Sequence, residues 1–154
     1  MTTPSHTAEL AAQREAGWID PRGQRFGAGI TTVVLAIALV LQNPWILLFQ
    51  ALIFAVTVAA GPAGGPYGLI FRRMIRPRIS APLELEDPRP PRFAQLVGLI
   101  FSVAGVIGFA SGVWLLGLIA TGCAVVAALL NALIGYCLGC EMYLLGRRLL
   151  SARR

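Results

Sequence analysis

The sequence predicts an all-α membrane protein with four transmembrane helices, arranged as two parallel-repeat helical hairpins. Three observations predict it. Two blocks contain no charged residue, Phe26 to Phe71 and Phe93 to Cys140. All thirteen basic residues are arginines, and every one lies in the segments flanking those blocks. The motif opening the first block, Asp20-Pro-Arg-Gly-Gln-Arg-Phe26, returns as Asp87-Pro-Arg-Pro-Pro-Arg-Phe93 before the second.

Composition sets the class. With 56% hydrophobic and 13% charged residues and a mean hydropathy of +0.72, a chain of 154 residues is too apolar for a soluble domain. The net charge of +6 raises nucleic acid as a partner. The arginines flank apolar blocks, however, without a basic groove or interleaved surface aromatics, so a lipid bilayer is expected and no nucleic acid. The absence of lysine removes a P-loop NTPase, a Schiff-base enzyme and a Ser-Lys hydrolase. His6, the single histidine, sits in a polar tail and reads as a solvated residue. No cofactor is implied.

Residues 1–25 form a polar cytoplasmic tail in which Ala8 to Ala16 can make a short helix ending at Gly17. The tail lacks the basic start and small-residue cleavage site of a signal peptide. A helix crosses the hydrocarbon in about 20 residues, so each charge-free block is too long for one span and fits two with a turn. In the first hairpin, 26–71, Gln42-Asn-Pro-Trp45 supplies the turn. In the second, within 93–154, Ala110-Ser-Gly-Val-Trp114 does so. The expected spans are 26–42, 45–61, 93–110 and 113–136. Between the hairpins lies an Arg/Pro-rich cytoplasmic loop, 72–92, with six of the thirteen arginines.

Orientation follows from the arginines. The N-terminal segment, central loop and C-terminal segment carry them all, and the hairpin turns carry none. Inverting the chain would oppose roughly 2.5–3.5 kcal/mol per arginine moved through the bilayer. Both termini are thus expected in the cytoplasm. Trp18, Trp45 and Trp114 are expected at the interfaces, as are Arg25, Arg72, Arg73, Arg76, Arg92, Arg147 and Arg148. The Asp-Pro-Arg motifs read as helix entries, with Asp20 and Asp87 capping rather than catalytic.

The duplication reaches the ends of both halves, where an aromatic precedes an Arg pair: Tyr67 before Arg72-Arg73 and Tyr143 before Arg147-Arg148. Both halves enter from the same side, which makes the repeat parallel. The halves finish differently. Gly61-Pro-Ala-Gly-Gly-Pro66 breaks the first, after which Tyr67 to Arg76 reads as an interfacial helix with Tyr67, Ile70, Phe71, Met74 and Ile75 on one face. The second holds Cys137-Leu-Gly-Cys140-Glu141 at the matching place.

Small residues recur every fourth position at Ala104, Gly108 and Gly112 and at Ala120, Ala124 and Ala128, which allows close helix approach and leaves room for a homo-oligomer. Of the amides, Gln50, Gln95 and Asn131, the last lies deepest and is expected to bond between helices. No charged side chain lies inside a span, which disfavours an ion-coupled transporter. For Cys137 and Cys140 three roles stay open: packing, thiol or sulfur chemistry, and metal binding. A single pair cannot complete a four-ligand zinc site without a second copy, so no metal is assigned. Cys123 reads as inert.

The stretches DPRxxRF, RPRI with ELEDPRPPRFAQ, and CLGCEMYLLGRR resemble a bacterial integral-membrane family, domain-of-unknown-function 4395, common in actinobacteria, over about residues 18 to 150. The resemblance supplies no established activity. Members often stand near genes for thioredoxin-like or sulfurtransferase proteins, which implies thiol or sulfane-sulfur chemistry with such a partner. The expectation is an uncharacterised membrane component that relays thiol/disulfide or sulfur equivalents through Cys137 and Cys140. The alternatives are a non-enzymatic scaffold or partner subunit, and a small-solute carrier. Cys137, about 34 Å beyond Trp114 on a continuous helix, falls near the inner headgroups. A helix C-terminus and Glu141 should make it a poor thiolate, unless the helix breaks at Gly135 and a new one begins there.

Overall fold

Two of the long helices begin on a side-chain cap followed by a proline. Asp20 Oδ1 accepts from the Arg22 amide at 3.0 Å, and Asn43 Oδ1 accepts from the amides of Trp45 and Ile46 at 2.9 and 3.3 Å. Pro21 and Pro44 follow at the first helical position, where a missing N–H costs nothing and φ is already helical. The computed structural model describes residues 4–152, with side chains from Ala8 onward; His6 and the last two arginines fall outside the described side chains. Its helices are α1 (Pro4–Glu15), α2 (Pro21–Leu41), α3 (Pro44–Ala60), α4 (Pro66–Ile70), α5 (Arg89–Ala110), α6 (Trp114–Ile134) and α7 (Leu138–Ser151). No strand forms among the described residues beyond one antiparallel bridge between Ile19 and Glu86.

Three of these helices, α2, α5 and α6, are long and apolar enough to cross a membrane, at 21, 22 and 21 residues. The fourth apolar helix, α3, has 17 residues and a length of about 26 Å, at the lower limit for a span. Pro44 and Gly61 bound it. The helix starts depart from the charge boundaries. α2 begins at Pro21 and α5 at Arg89, so Arg22, Arg25, Arg89 and Arg92 belong to the helices instead of to tail and loop. The expected interfacial helix is present but irregular: α4 runs into a π-helical turn, Phe71–Ile75, and a 3₁₀ turn, Arg76–Arg78. Pro77 lacks the N–H needed to continue the regular ladder.

The bundle packs α2 on α6 and α3 on α5, with α5 and α6 also in close contact. The buried cluster is Leu35, Ala38, Leu47, Phe109 and Ala124, joined by Leu39, Ile46, Val106 and Val125. Most of these positions lie toward the two hairpin turns. Between α5 and α6 the approach is at backbone distance, since a Cβ on Gly108 would strike the backbone of Gly117, and one on Gly105 would strike Leu47 and Thr121. Gly105 thus joins the small-residue row at a position the four-residue spacing omitted. Outside the core, Val40, Leu52, Ile100, Ile119 and Leu133 are exposed, as lipid-facing positions require.

A buried polar chain crosses this apolar interior. Tyr67 donates its hydroxyl to Gln50 Oε1 at 2.8 Å, and Gln50 Nε2 donates to Thr31 Oγ1 at 3.4 Å. Gln50 is completely buried. Burial pushes the Tyr67 phenol up, against a smaller lowering by its bond to Gln50, so it remains a donor.

Gly108→Val should lower the thermal midpoint of the detergent-solubilised protein strongly, because overpacking a backbone contact costs about 1–3 kcal/mol. Gly122→Ala, where a Cβ meets nothing within 4 Å, should not lower it and should raise it slightly, since alanine favours a helix interior over glycine.

Candidate functional site

Where a single helix was expected to run on to residue 136, Gly135 turns it off. Its φ of 73° is left-handed, a conformation that costs glycine nothing, and α6 ends at Ile134. Tyr136 and Cys137 then leave the helix axis, and α7 starts at Leu138 with Cys137 as its N-cap. The Cys137 Sγ accepts from the Cys140 amide at 3.3 Å. The two cysteines form a disulfide with a Cα–Cα distance of 5.2 Å, within the normal range for such a bridge. The C-terminal location that would make Cys137 a poor thiolate is therefore corrected: the sulfur sits at a helix N-terminus, where free amides favour negative charge.

The start of α7 is fixed on α5. A Cβ on Gly139 would collide with Ala94, so only glycine lets the helix lie this close, and Phe93 packs on Tyr143 with ring centroids 5.8 Å apart. The first half contains a comparable break. Gly61, with φ 80°, ends α3, and Gly65 caps α4 without a side-chain hydrogen bond. Phe71 then packs on Phe26, again with centroids 5.8 Å apart.

Two arginines close the helix ends. Arg25, from α2, donates to the carbonyls of Ala132 and Leu133 at 3.4 and 2.9 Å, satisfying the last turn of α6. Arg92, from α5, donates to Val58 and Ala59 at 2.6 and 3.2 Å and does the same for α3. Both were read as interface residues, and the spacing of motifs gave no sign that each would reach across to the other hairpin.

The cysteines line a cavity of about 560 Å³ whose charged residues are Arg25, Glu86, Asp87 and Glu141. Asp87 accepts from the Arg89 amide at 2.9 Å in the turn before α5, whose N-cap is Pro88 and carries no side-chain cap, so the capping expected of Asp87 is not made. Glu86 accepts from Gln24 at 3.1 Å. Although much of the residue reaches solvent, partial burial raises the Glu86 carboxyl above its ordinary range. Gln24 works against that rise, and the charges of Glu84 and Asp20 add to it. Asn131 lines the same cavity and makes no side-chain hydrogen bond among the described residues, so the deep interhelical amide is Gln50 instead. No three His, Cys, Asp or Glu side chains among the described residues are placed to hold a metal ion. Trp45 and Trp114 stand exposed at the hairpin-turn end, and Trp18 lines the cavity at the opposite end. Arg72, Arg73, Arg147 and Arg148 are exposed, and Cys123 is exposed on the outer face of α6.

The fold and site together define a helical membrane-type bundle with a disulfide-bonded pair opening on a cavity at one end. The chain belongs to the family described as domain of unknown function (DUF4395), which matches residues 19–148. No curated protein and no solved structure matches it.

Arg25→Gln and Arg92→Gln should each cost about 1 kcal/mol by removing charged donors from helix-end carbonyls. The losses should add in the double variant, as they do for separate sites, in thermal unfolding of the detergent-solubilised protein. Glu86 supplies a pH dependence whose sign is fixed. Its folded-state pKa is raised, so its contribution is fully present below the unfolded value near 4.5 and is lost as pH rises through the folded value. Wild type should therefore lose stability relative to Glu86→Gln as pH rises from 4.5, in a melting series run in parallel on both.

Proposed function

We propose that the protein is a four-span component of the bacterial cytoplasmic membrane that exchanges thiol/disulfide or sulfur equivalents through Cys137 and Cys140 with a soluble thioredoxin-like or sulfurtransferase partner. The observation that carries this reading is the position of Cys137: N-cap of α7, bonded to Cys140, beside an open cavity. In the thiol/disulfide form of the reaction, a partner thiolate attacks Cys137 Sγ and the Cys137–Cys140 bond breaks. Cys140 leaves as a thiolate and takes a proton. The second partner thiol then attacks the mixed disulfide, freeing Cys137 and leaving the partner oxidised. Two electrons and two protons pass to the pair, and the reverse sequence returns them. The α7 amides favour Cys137 as the leaving thiolate by roughly 0.3–1 kcal/mol, a modest term that the first-turn carboxylate of Glu141 opposes.

The four-span topology is supported by the apolar length of α2, α5 and α6 and by the apolar character of the shorter α3. The parallel repeat is supported by reciprocity. Ile19 and Glu86, 67 residues apart, donate to one another's carbonyls at 2.9 and 2.8 Å, as two equivalent positions astride a two-fold axis would. The same offset relates Asp20 to Asp87 and Arg25 to Arg92, and in each pair both members make the same kind of contact. An offset of 72 residues relates Gly65 to Cys137 and Phe71 to Tyr143. On this arrangement both termini and the arginine-rich end face the cytoplasm.

A membrane-impermeant maleimide tests topology and chemistry together. In inverted vesicles treated with reductant, Cys137 should label faster than Cys140, and neither should label without reductant; in intact spheroplasts both should stay unlabelled. Cys137→Ser should abolish disulfide trapping of a soluble partner, and Cys140→Ser should accumulate it. Two cysteines that never oxidise, or that label from the outer face, would defeat the proposal.

A further inference from the structure

The arginine-rich end holds a second cavity, of about 330 Å³, between the start of α2 and the break after α3. Its apolar wall is Trp18, Phe71 and Leu85, and it reaches Thr31 and Thr57 inside the bundle. Glycines keep it open: a Cβ on Gly23 would press on the Phe71 ring at 3.0 Å, and Gly27 leaves the space beside Tyr67 free. Three arginines line it, Arg14, Arg72 and Arg76. Its one lining carboxylate, Asp20, is already held by Arg22 at 3.0 Å. Among the described residues Arg14 and Arg76 make no ion pair or side-chain hydrogen bond, and Arg72 makes only a long 3.5 Å contact to the Ala63 carbonyl. Three like charges around a half-enclosed apolar hollow focus a positive potential into it.

We propose that this cavity binds an amphiphile with a phosphate head, independently of any thiol chemistry. The head lies among Arg14, Arg72 and Arg76, whose forked donors match phosphate oxygens better than a point charge does. The apolar portion lies against Trp18, Phe71 and Leu85. The volume accommodates on the order of ten water-sized groups, enough for a glycerophosphate head and its first carbons but not for a whole lipid. A membrane phospholipid whose chains stay outside and a soluble organic phosphate both carry this head. Trp18 also lines the cysteine cavity, so the two sites share a wall.

Trp18 provides the readout, because Trp45→Phe and Trp114→Phe leave it as the single tryptophan. The full chain in neutral maltoside detergent is titrated with dihexanoyl phosphatidic acid, glycerol 3-phosphate and dihexanoyl phosphatidylcholine while Trp18 emission is followed. A saturable change with a phosphate-headed probe is expected, about tenfold weaker in Arg72→Gln and in Arg76→Gln. It should be unchanged in Arg73→Gln, whose side chain is exposed and does not line the cavity. Gly27→Leu should fill the space and remove the response; if that variant melts early, the arginine variants decide. Saturation by glycerol 3-phosphate at equal affinity assigns a soluble phosphate as the source, and a response to the acylated probe alone assigns a lipid headgroup. The proposal is overturned if neither phosphate probe saturates or if phosphatidylcholine binds as well as phosphatidic acid. Equal affinity in the Arg72, Arg76 and Arg73 variants would overturn it too.

Discussion

The end of a membrane helix has carbonyls that no later turn satisfies, and in an apolar setting each unsatisfied group costs several kcal/mol. Here two helices that stop early, α3 and α6, are closed by guanidinium groups from α2 and α5. Much of the arginine-rich end depends on that exchange. With its carbonyls satisfied, α6 can end at Ile134, the chain can turn at Gly135, and α7 can begin in a new direction. The position of Cys137 at a helix start is thus coupled to an arginine more than a hundred residues earlier.

The same end holds two cavities. The buried cluster gathers toward the hairpin turns, and the glycines at 105, 108 and 117 bring α3, α5 and α6 together there. Toward the arginines the helices part around two cavities, separated by the short bridge of Ile19 and Glu86 and by the Trp18 and Leu85 side chains. One cavity contains the disulfide and an excess of carboxylates. The other contains an excess of guanidinium groups. The two neighbouring hollows thus carry opposite excess charge.

The buried chain from Tyr67 through Gln50 to Thr31 ties the short α4 to the interior of the first hairpin. A lone glutamine in hydrocarbon would be costly. Two partners make it a positional restraint, holding the irregular segment after α3 against α2 and so shaping one wall of the guanidinium-lined cavity. Ser102 and Thr121 are also fully buried, and their hydroxyls find no partner among the described residues.

Sequence alone determined the class of fold, because charge is excluded from hydrocarbon and the arginines bracket what remains. The turn at Gln42 to Trp45, the turn at Gly112 and the capping by Asp20 were legible for the same local reason: each is set by a residue and its near neighbours. What the local pattern did not reveal involved distant partners. Gly135 reads equally well as a tolerated glycine within a helix or as its end, and only the packing of Gly139 on Ala94 and the reach of Arg25 settle that α7 starts anew. Arg25 and Arg92 look like lipid-facing anchors until the bundle places helix ends beside them. Asn131 and Gln50 are both amides in apolar helices, and which one is buried depends on the rotation of each helix within the bundle, a quantity that no single-helix periodicity fixes.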